Sequence, residues 1–421
     1  MHHESRPLRG AAGAQLMTRL ASVFLVILMN LPARLLGQDV PSVNSRAGQI
    51  QAERAQKAAT LTPDEPGRTE RIFDKAEDIA EGVFRGAPLR LQFGGLPGGS
   101  GFSYGPLIEW RNPSDLSLRL VAIGGFSGSY KTGAVVEKFY PNQSLRLTTD
   151  AAYVYANRLD YYGPGPDSLE SNRTRYLLEE TSADFGVRWQ PPPGRFSAGV
   201  EAGGLFVNVG PGTSSTIPST DAVFSPSEAP GIDEQTDFIR GGGYIDLDYR
   251  DLPRKPTDGT RALLRYQRYQ DVVLERFSFN RLSAEVEHYI PFLNKKRVIA
   301  LHAATELSFN SDDQLVPFYL QPTLGGPRTL RGFRRYRFYD DNSVVYNAEY
   351  RWEVSTGFEM ALFADAGRVF DRPSEIARLS QMKTSAGFGA RFNARERVAL
   401  RIDTGFSNEG YRIWLQVTSA F

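Results

Sequence analysis

The sequence predicts an all-β fold, a transmembrane antiparallel β-barrel of sixteen strands. Three observations predict it: strands with one oily and one polar face, an even strand count, and long connections that all fall on one side. The last strand is the clearest. Tyr411, Ile413, Leu415, Val417 and Phe421 share one parity, while Arg412, Trp414, Gln416 and Thr418 take the other. Successive side chains of a strand point to opposite faces, and a membrane barrel sets lipid against one face and water or polar packing against the other. These five residues therefore read as a C-terminal strand signal. The same alternation sets Val344, Tyr346, Ala348, Tyr350, Trp352 and Val354 against Asn347, Glu349, Arg351 and Glu353. It also sets Val398, Leu400, Ile402, Thr404 and Phe406 against Arg401 and Asp403. Charges stand where a soluble sandwich would need core.

Composition agrees. A chain of 421 residues is long enough for two or three soluble domains, yet 12% aromatic residues, 40 glycines and a net charge of +1 fit one large β structure equally well. That charge argues against a nucleic-acid partner. After residue 37 no apolar run approaches the roughly 20 residues of a spanning helix, so strands must carry the crossing. The lack of cysteine excludes disulfides, thiolate metal sites and a lipidated N-terminal cysteine.

The elements follow in order. Residues 1–37 read as a signal peptide: from Met17, an alternative start, a short basic segment leads into the apolar run of residues 21–29. Residues 38–87 are a short helical or disordered periplasmic lead-in, with helical spacing at Ile72, Phe73, Ala76, Ile79, Ala80 and Val83. Residues 88–421 are the barrel. Strands are predicted near 88–94, 101–111, 116–126, 129–140, 145–158, 176–190, 195–209, 238–250, 260–271, 276–290, 297–309, 343–354, 356–367, 384–393, 397–406 and 411–421. Even numbers suit a bacterial barrel whose termini both return to the periplasm. With the first connection outside, the long connections 159–174, 210–237, 310–342 and 368–383 all fall outside and the tight turns inside. Trp110, Trp189, Trp352, Tyr161 and Tyr162, near strand ends, are assigned to aromatic girdles.

The 310–342 connection carries five arginines between 328 and 337. A charge run is usually solvated or bound to lipid phosphates, whereas Gly325, Gly326 and Gly332 favour a tight fold-back. Leu330-Arg331-Gly332-Phe333 resembles the loop signature of the BamA/TamA-type outer-membrane assembly superfamily, the bacterial surface antigens. Phe363-Ala364-Asp365-Ala366-Gly367 is similar to its second signature. The segments 247–250 and 256–261 and the terminal Phe421 resemble the family pattern as well. In that family the loop arginine folds into the lumen and pairs with the strand aspartate. The resemblance thus implies a lumen motif of Leu330, Arg331, Gly332 and Phe333, anchored by the Asp365 carboxylate with Phe363 and Gly367. Parity agrees, since Asp365 shares a face with Glu359 and Phe363, opposite Met360 and Leu362. The alternative is an ordinary strand aspartate solvated in the lumen.

Members of that superfamily usually carry periplasmic repeat (POTRA) domains before the barrel, and residues 38–87 are too few for one. The expectation is a POTRA-less member that borrows a partner's periplasmic domain or does something narrower than general assembly. The family works at the seam between first and last strands. Here the short segment 88–99, ending in Gly94, Gly95, Gly98 and Gly99, fits a weak seam or a plain glycine turn equally.

No enzyme site assembles. His288 and His302 are isolated, Gly241, Gly242 and Gly243 precede a strand instead of a helix, and no serine sits in a nucleophile elbow. No cofactor and no metal are expected. The implied function is assistance to insertion or translocation of proteins at the bacterial outer membrane. Its implied partners are outer-membrane lipid, client proteins and a periplasmic protein supplying the missing domains. The alternative is a passive pore or structural barrel without insertase activity.

Overall fold

The computed structural model describes residues 89–112, 115–140, 144–394 and 397–416. The signal peptide, the helical lead-in, Val417 and Phe421 lie outside the described residues. The strands are β1 Leu89–Phe93, β2 Ser103–Arg111, β3 Leu116–Gly125, β4 Tyr130–Phe139, β5 Leu145–Tyr161, β6 Thr174–Trp189, β7 Phe196–Pro211, β8 Phe238–Asp248 and β9 Gly259–Asp271. Then come β10 Phe279–Phe292, β11 Arg297–Phe309, β12 Thr323–Leu324, β13 Phe338–Tyr339, β14 Asn342–Ser355, β15 Phe358–Phe370, β16 Lys383–Ala394, β17 Arg397–Ser407 and β18 Gly410–Gln416. Sixteen of these form one antiparallel sheet in chain order, with β11 beside β14, and β12 pairs with β13 apart from it. The sixteen predicted strands each overlap one of these sixteen.

Alternation makes the sheet two-sided in the sense opposite to a water-soluble fold. Tyr346, Tyr350, Leu362, Phe388, Phe406, Ile413 and Leu415 are exposed, whereas Asn347, Glu349, Arg351, Asp365, Arg391, Arg401 and Asp403 are buried. Hydrocarbon accepts the apolar face, and the ladder satisfies the backbone groups that lipid cannot.

Breaks in register correct two expectations. Tyr161 and Tyr162, expected in a girdle, are buried. The β5–β6 ladder shifts between Ala156 and Leu159, which carries the end of β5 inward, where the Tyr161 ring meets Phe224, Phe318 and Tyr339 edge-on. Val398, grouped by parity with the outward Leu400, is buried as well. Here Phe392 pairs with Leu400 but Asn393 with Val398, and the intervening residue turns Val398 to the inner face. Trp110 and Trp189 are exposed at the turn-side ends of their strands.

On the long-loop side, Tyr176, Leu205, Phe238 and Phe279 from strand ends pack with Phe224, Val316 and Phe318 from loops in one buried cluster. The 310–342 loop is itself folded, because Thr323 pairs with Tyr339 and Leu324 with Phe338. A two-residue ladder is too short for alternation to foretell. The loop also reaches both edges of the sheet. The Gly98 amide, just after β1, donates to Tyr336 Oη at 3.2 Å, and the Arg335 guanidinium lies 5.4 Å from the centroid of the Trp414 ring on β18.

Candidate functional site

The tip of the β12–β13 hairpin descends between the inner faces of β14 to β18. Leu330, Arg331 and Phe333 are buried there. Leu330 and Phe333 pack with Leu324, Phe338, Val345 and Val369, and the Phe333 and Phe338 rings meet edge-on at 5.2 Å. Gly332 has no room for a side chain: a Cβ would stand 2.7 Å from the backbone of Phe406 and from Ser385 Cβ. At Gly405 a Cβ would stand 2.4 Å from the Arg331 carbonyl oxygen, so the loop and the β17 backbone touch through paired glycines. Gly367 accommodates Leu324, whose Cδ1 would lie 3.0 Å from an added Cβ.

Arg331 meets Asp365 three times. Nη2 donates to Oδ1 at 2.7 Å, Nε lies 3.2 Å from both carboxylate oxygens, and the backbone N–H donates to Oδ2 at 3.0 Å. The guanidinium also lies 3.4 Å from the centroid of the Phe363 ring, the residue two before Asp365 on the same inward face. Asp365 completes its shell with Ser385 Oγ at 2.9 Å and Asn347 Nδ2 at 2.8 Å. The planar fork of arginine suits this bidentate, face-stacked arrangement in a way an ammonium does not.

A second group of charges on the inner face, of which the sequence sets Glu349, Arg351, Arg401 and Asp403 on the polar parity, extends the site. Arg331 Nη1 donates to Glu349 Oε2 at 2.8 Å, and Glu349 Oε1 accepts from Arg351 at 3.0 Å and Arg391 at 2.7 Å. Arg391 also reaches Asp403 at 2.7 Å, beside which Arg401 lies at 3.1 Å. Four guanidiniums thus share three carboxylates in a dry interior, where each charge depends on its neighbours to offset its desolvation. Arg401 donates to the Pro327 carbonyl at 2.9 Å, Asn347 to that of Thr329 at 2.6 Å, Ser407 to that of Gly332 at 2.9 Å and Trp414 Nε1 to that of Arg331 at 2.7 Å. Every one of these holds the loop backbone to the wall.

The predicted residues of the C-terminal strand sit apart from this cluster. Tyr411, Ile413 and Leu415 are exposed on the outer face of β18, while the intervening Trp414 points inward to the loop. His302, read from the sequence as isolated, contacts Glu285 at 2.9 Å and Asn347 at 2.8 Å, which joins it to the Asp365 shell. His288 faces outward and meets Thr260 at 2.8 Å.

Residues 213–410 match the model of the Omp85 superfamily domain. The fold is similar to BamA from Haemophilus ducreyi lacking POTRA domains 1–3, at 16% identity and a TM-score of 0.57 over 78% of this chain and 68% of that one. CdiB from Acinetobacter baumannii matches at 15% identity and a TM-score of 0.46, over 75% of this chain and 55% of that one. No curated protein matches the sequence.

Proposed function

We propose that this chain, whose residues 213–410 match the Omp85 superfamily domain, assists insertion or translocation of proteins at the outer membrane, with the 310–342 loop held in the lumen as a working part. The observation that carries the proposal is the density of bonds that fixes this loop. A passive pore gains nothing from a basic hairpin drawn into its bore and tied to the last five strands. A device that acts through its wall needs such a tie, since it couples the loop to β17 and β18. Arg331, Glu349 and Asp365 fasten the hairpin, and Arg335 and Tyr336 set it against both sheet edges.

The test is reconstitution. Purified protein in liposomes is expected to raise the folding rate of an unfolded client barrel above that of empty liposomes, and Arg331→Glu is expected to remove most of that gain. Ion conductance with unchanged folding rates for several clients would assign the chain to a passive pore instead.

A further inference from the structure

The inner wall of β5 and β6 carries a charge pattern that the loop cluster does not use. In their ladder Arg146 stands directly opposite Arg188, where like charges repel unless neutralised. Arg146 has Glu137 at 3.2 Å and lies 5.9 Å from the centroid of the Phe139 ring. Arg188 makes no ion pair or hydrogen bond among the described residues, and its Nε is buried without a partner. Three arginines further along this side of the barrel are matched: Arg240 by Asp184, Arg261 by Asp246 and Arg265 by Glu201. Among the described residues Arg188 is therefore a charge left open to a partner from outside the wall.

The two arginines face a cavity of about 430 Å³ whose other walls are Phe139, Gln190, Pro192 and Pro193. It adjoins the short turns after β4 and β6, which is the periplasmic side of such a barrel. Four residues further along both strands, roughly 13 Å at the strand rise, Asp150 stands opposite Asp184. Among the described residues only Asp184 of that pair is offset, by Arg240. An anion arriving from the turn side meets attraction first and repulsion beyond, so it stops at the mouth. A small inorganic ion would need the guanidiniums alone. The ring of Phe139 and the two prolines instead offer apolar surface to hydrocarbon attached to the anion.

We propose, building on the reading that this barrel acts on polypeptides, that Arg146 and Arg188 form a subsite for the carboxylate of an acidic side chain on an extended polypeptide entering from the periplasm. Two guanidiniums grip one carboxylate with charge-assisted bonds, and the Phe139 and proline wall takes the flanking side chain. The pair thus selects acidic segments at the barrel mouth, on the wall opposite in chain order to the loop cluster.

The experiment titrates the full-length protein in lipid nanodiscs with a fluorescent extended peptide bearing central glutamates, and with its glutamine counterpart. The glutamate peptide is expected to bind about tenfold more tightly, with the preference lost in Arg188→Gln and partly kept in Arg188→Lys. Gel mobility of unheated samples checks that each variant folds, and Arg188→Lys carries the comparison if Arg188→Gln does not. Equal binding of the two peptides, or an unchanged preference in a folded Arg188→Gln, overturns the subsite. So does displacement of the peptide by inorganic phosphate where chloride at equal ionic strength leaves it bound, which would make the pair a general anion site. Client folding is measured on the same preparations. Acceleration without peptide discrimination overturns the subsite and leaves the proposed function standing, and discrimination without acceleration does the reverse.

Discussion

Arg331 is fastened by its backbone, its whole guanidinium and its ring contact at once, so its charge cannot be removed or inverted locally. Arg331→Glu would set a carboxylate against Glu349, Asp365 and Asp403. Breaking a buried pair by loss of one partner costs about 3–5 kcal/mol, and the expected outcome is a lower temperature at which the folded band converts on an unheated-versus-heated gel. Adding Asp365→Arg restores opposite charges across that contact and is expected to recover part of the loss; a double mutant no more heat-resistant than the single would separate the two residues. Arg331 and Asp365 could be named from the sequence because two short motifs resembled a family, and parity turned Asp365 inward. Glu349, Arg391, Asp403 and Ser385 could not be joined to them. Parity says that each faces the bore, but only the register of β14 to β17 says that they face one another.

At the level of the element, the 310–342 loop behaves as a small folded unit with its own titration. Burial pushes the Asp340 carboxyl up to about 7, with Asp341, Asp371 and Glu375 adding to the shift, and burial pushes Asp341 up to about 6. Both groups hold their protons more tightly in the folded loop than at the ordinary value of 3.8. The stability they contribute is therefore complete below pH 3.8 and is lost as pH rises through about 7. Hydrogen exchange at the Phe338 and Tyr339 amides, corrected for the intrinsic rate, is expected to show easier opening at pH 8 than at pH 5.5. Asp340→Asn is expected to flatten most of that difference, and a flat profile in the unmodified protein would refute the assignment. The pairing of β12 with β13 and the inward turn of Tyr161 were illegible for one reason: period-two reading assumes unbroken strands long enough to alternate, and both features arise where the ladder is very short or slips.

For the molecule as a whole, the exposed apolar face is the quantity that fixes the solvent. Ala364 lies outward, midway along β15, with Ala348 and Ala386 as its direct cross-strand neighbours. Ala364→Arg would set a cation in the hydrocarbon and is expected to cost about 2–4 kcal/mol, read as a shift in the urea midpoint of the barrel in liposomes. Ser385→Arg, one position away on the inner face, disturbs the Asp365 shell instead and would act through the loop. A midpoint unchanged by Ala364→Arg would count against a lipid-facing wall. The strand count and the sidedness of the long connections were readable at this scale because they depend on many residues, so an error of one or two at any strand end does not propagate.

The carboxylates that neutralise Arg331 all follow it in the chain: Glu349, Asp365 and Asp403. Arg331 therefore leaves the ribosome before anything that can neutralise it has been made. It travels as an orphan cation until β14 and β15 emerge behind it, the last ties from β17 and β18 come only when biosynthesis of the wall is finished, and a chain stopped before β14 would carry its guanidinium with nowhere to put it.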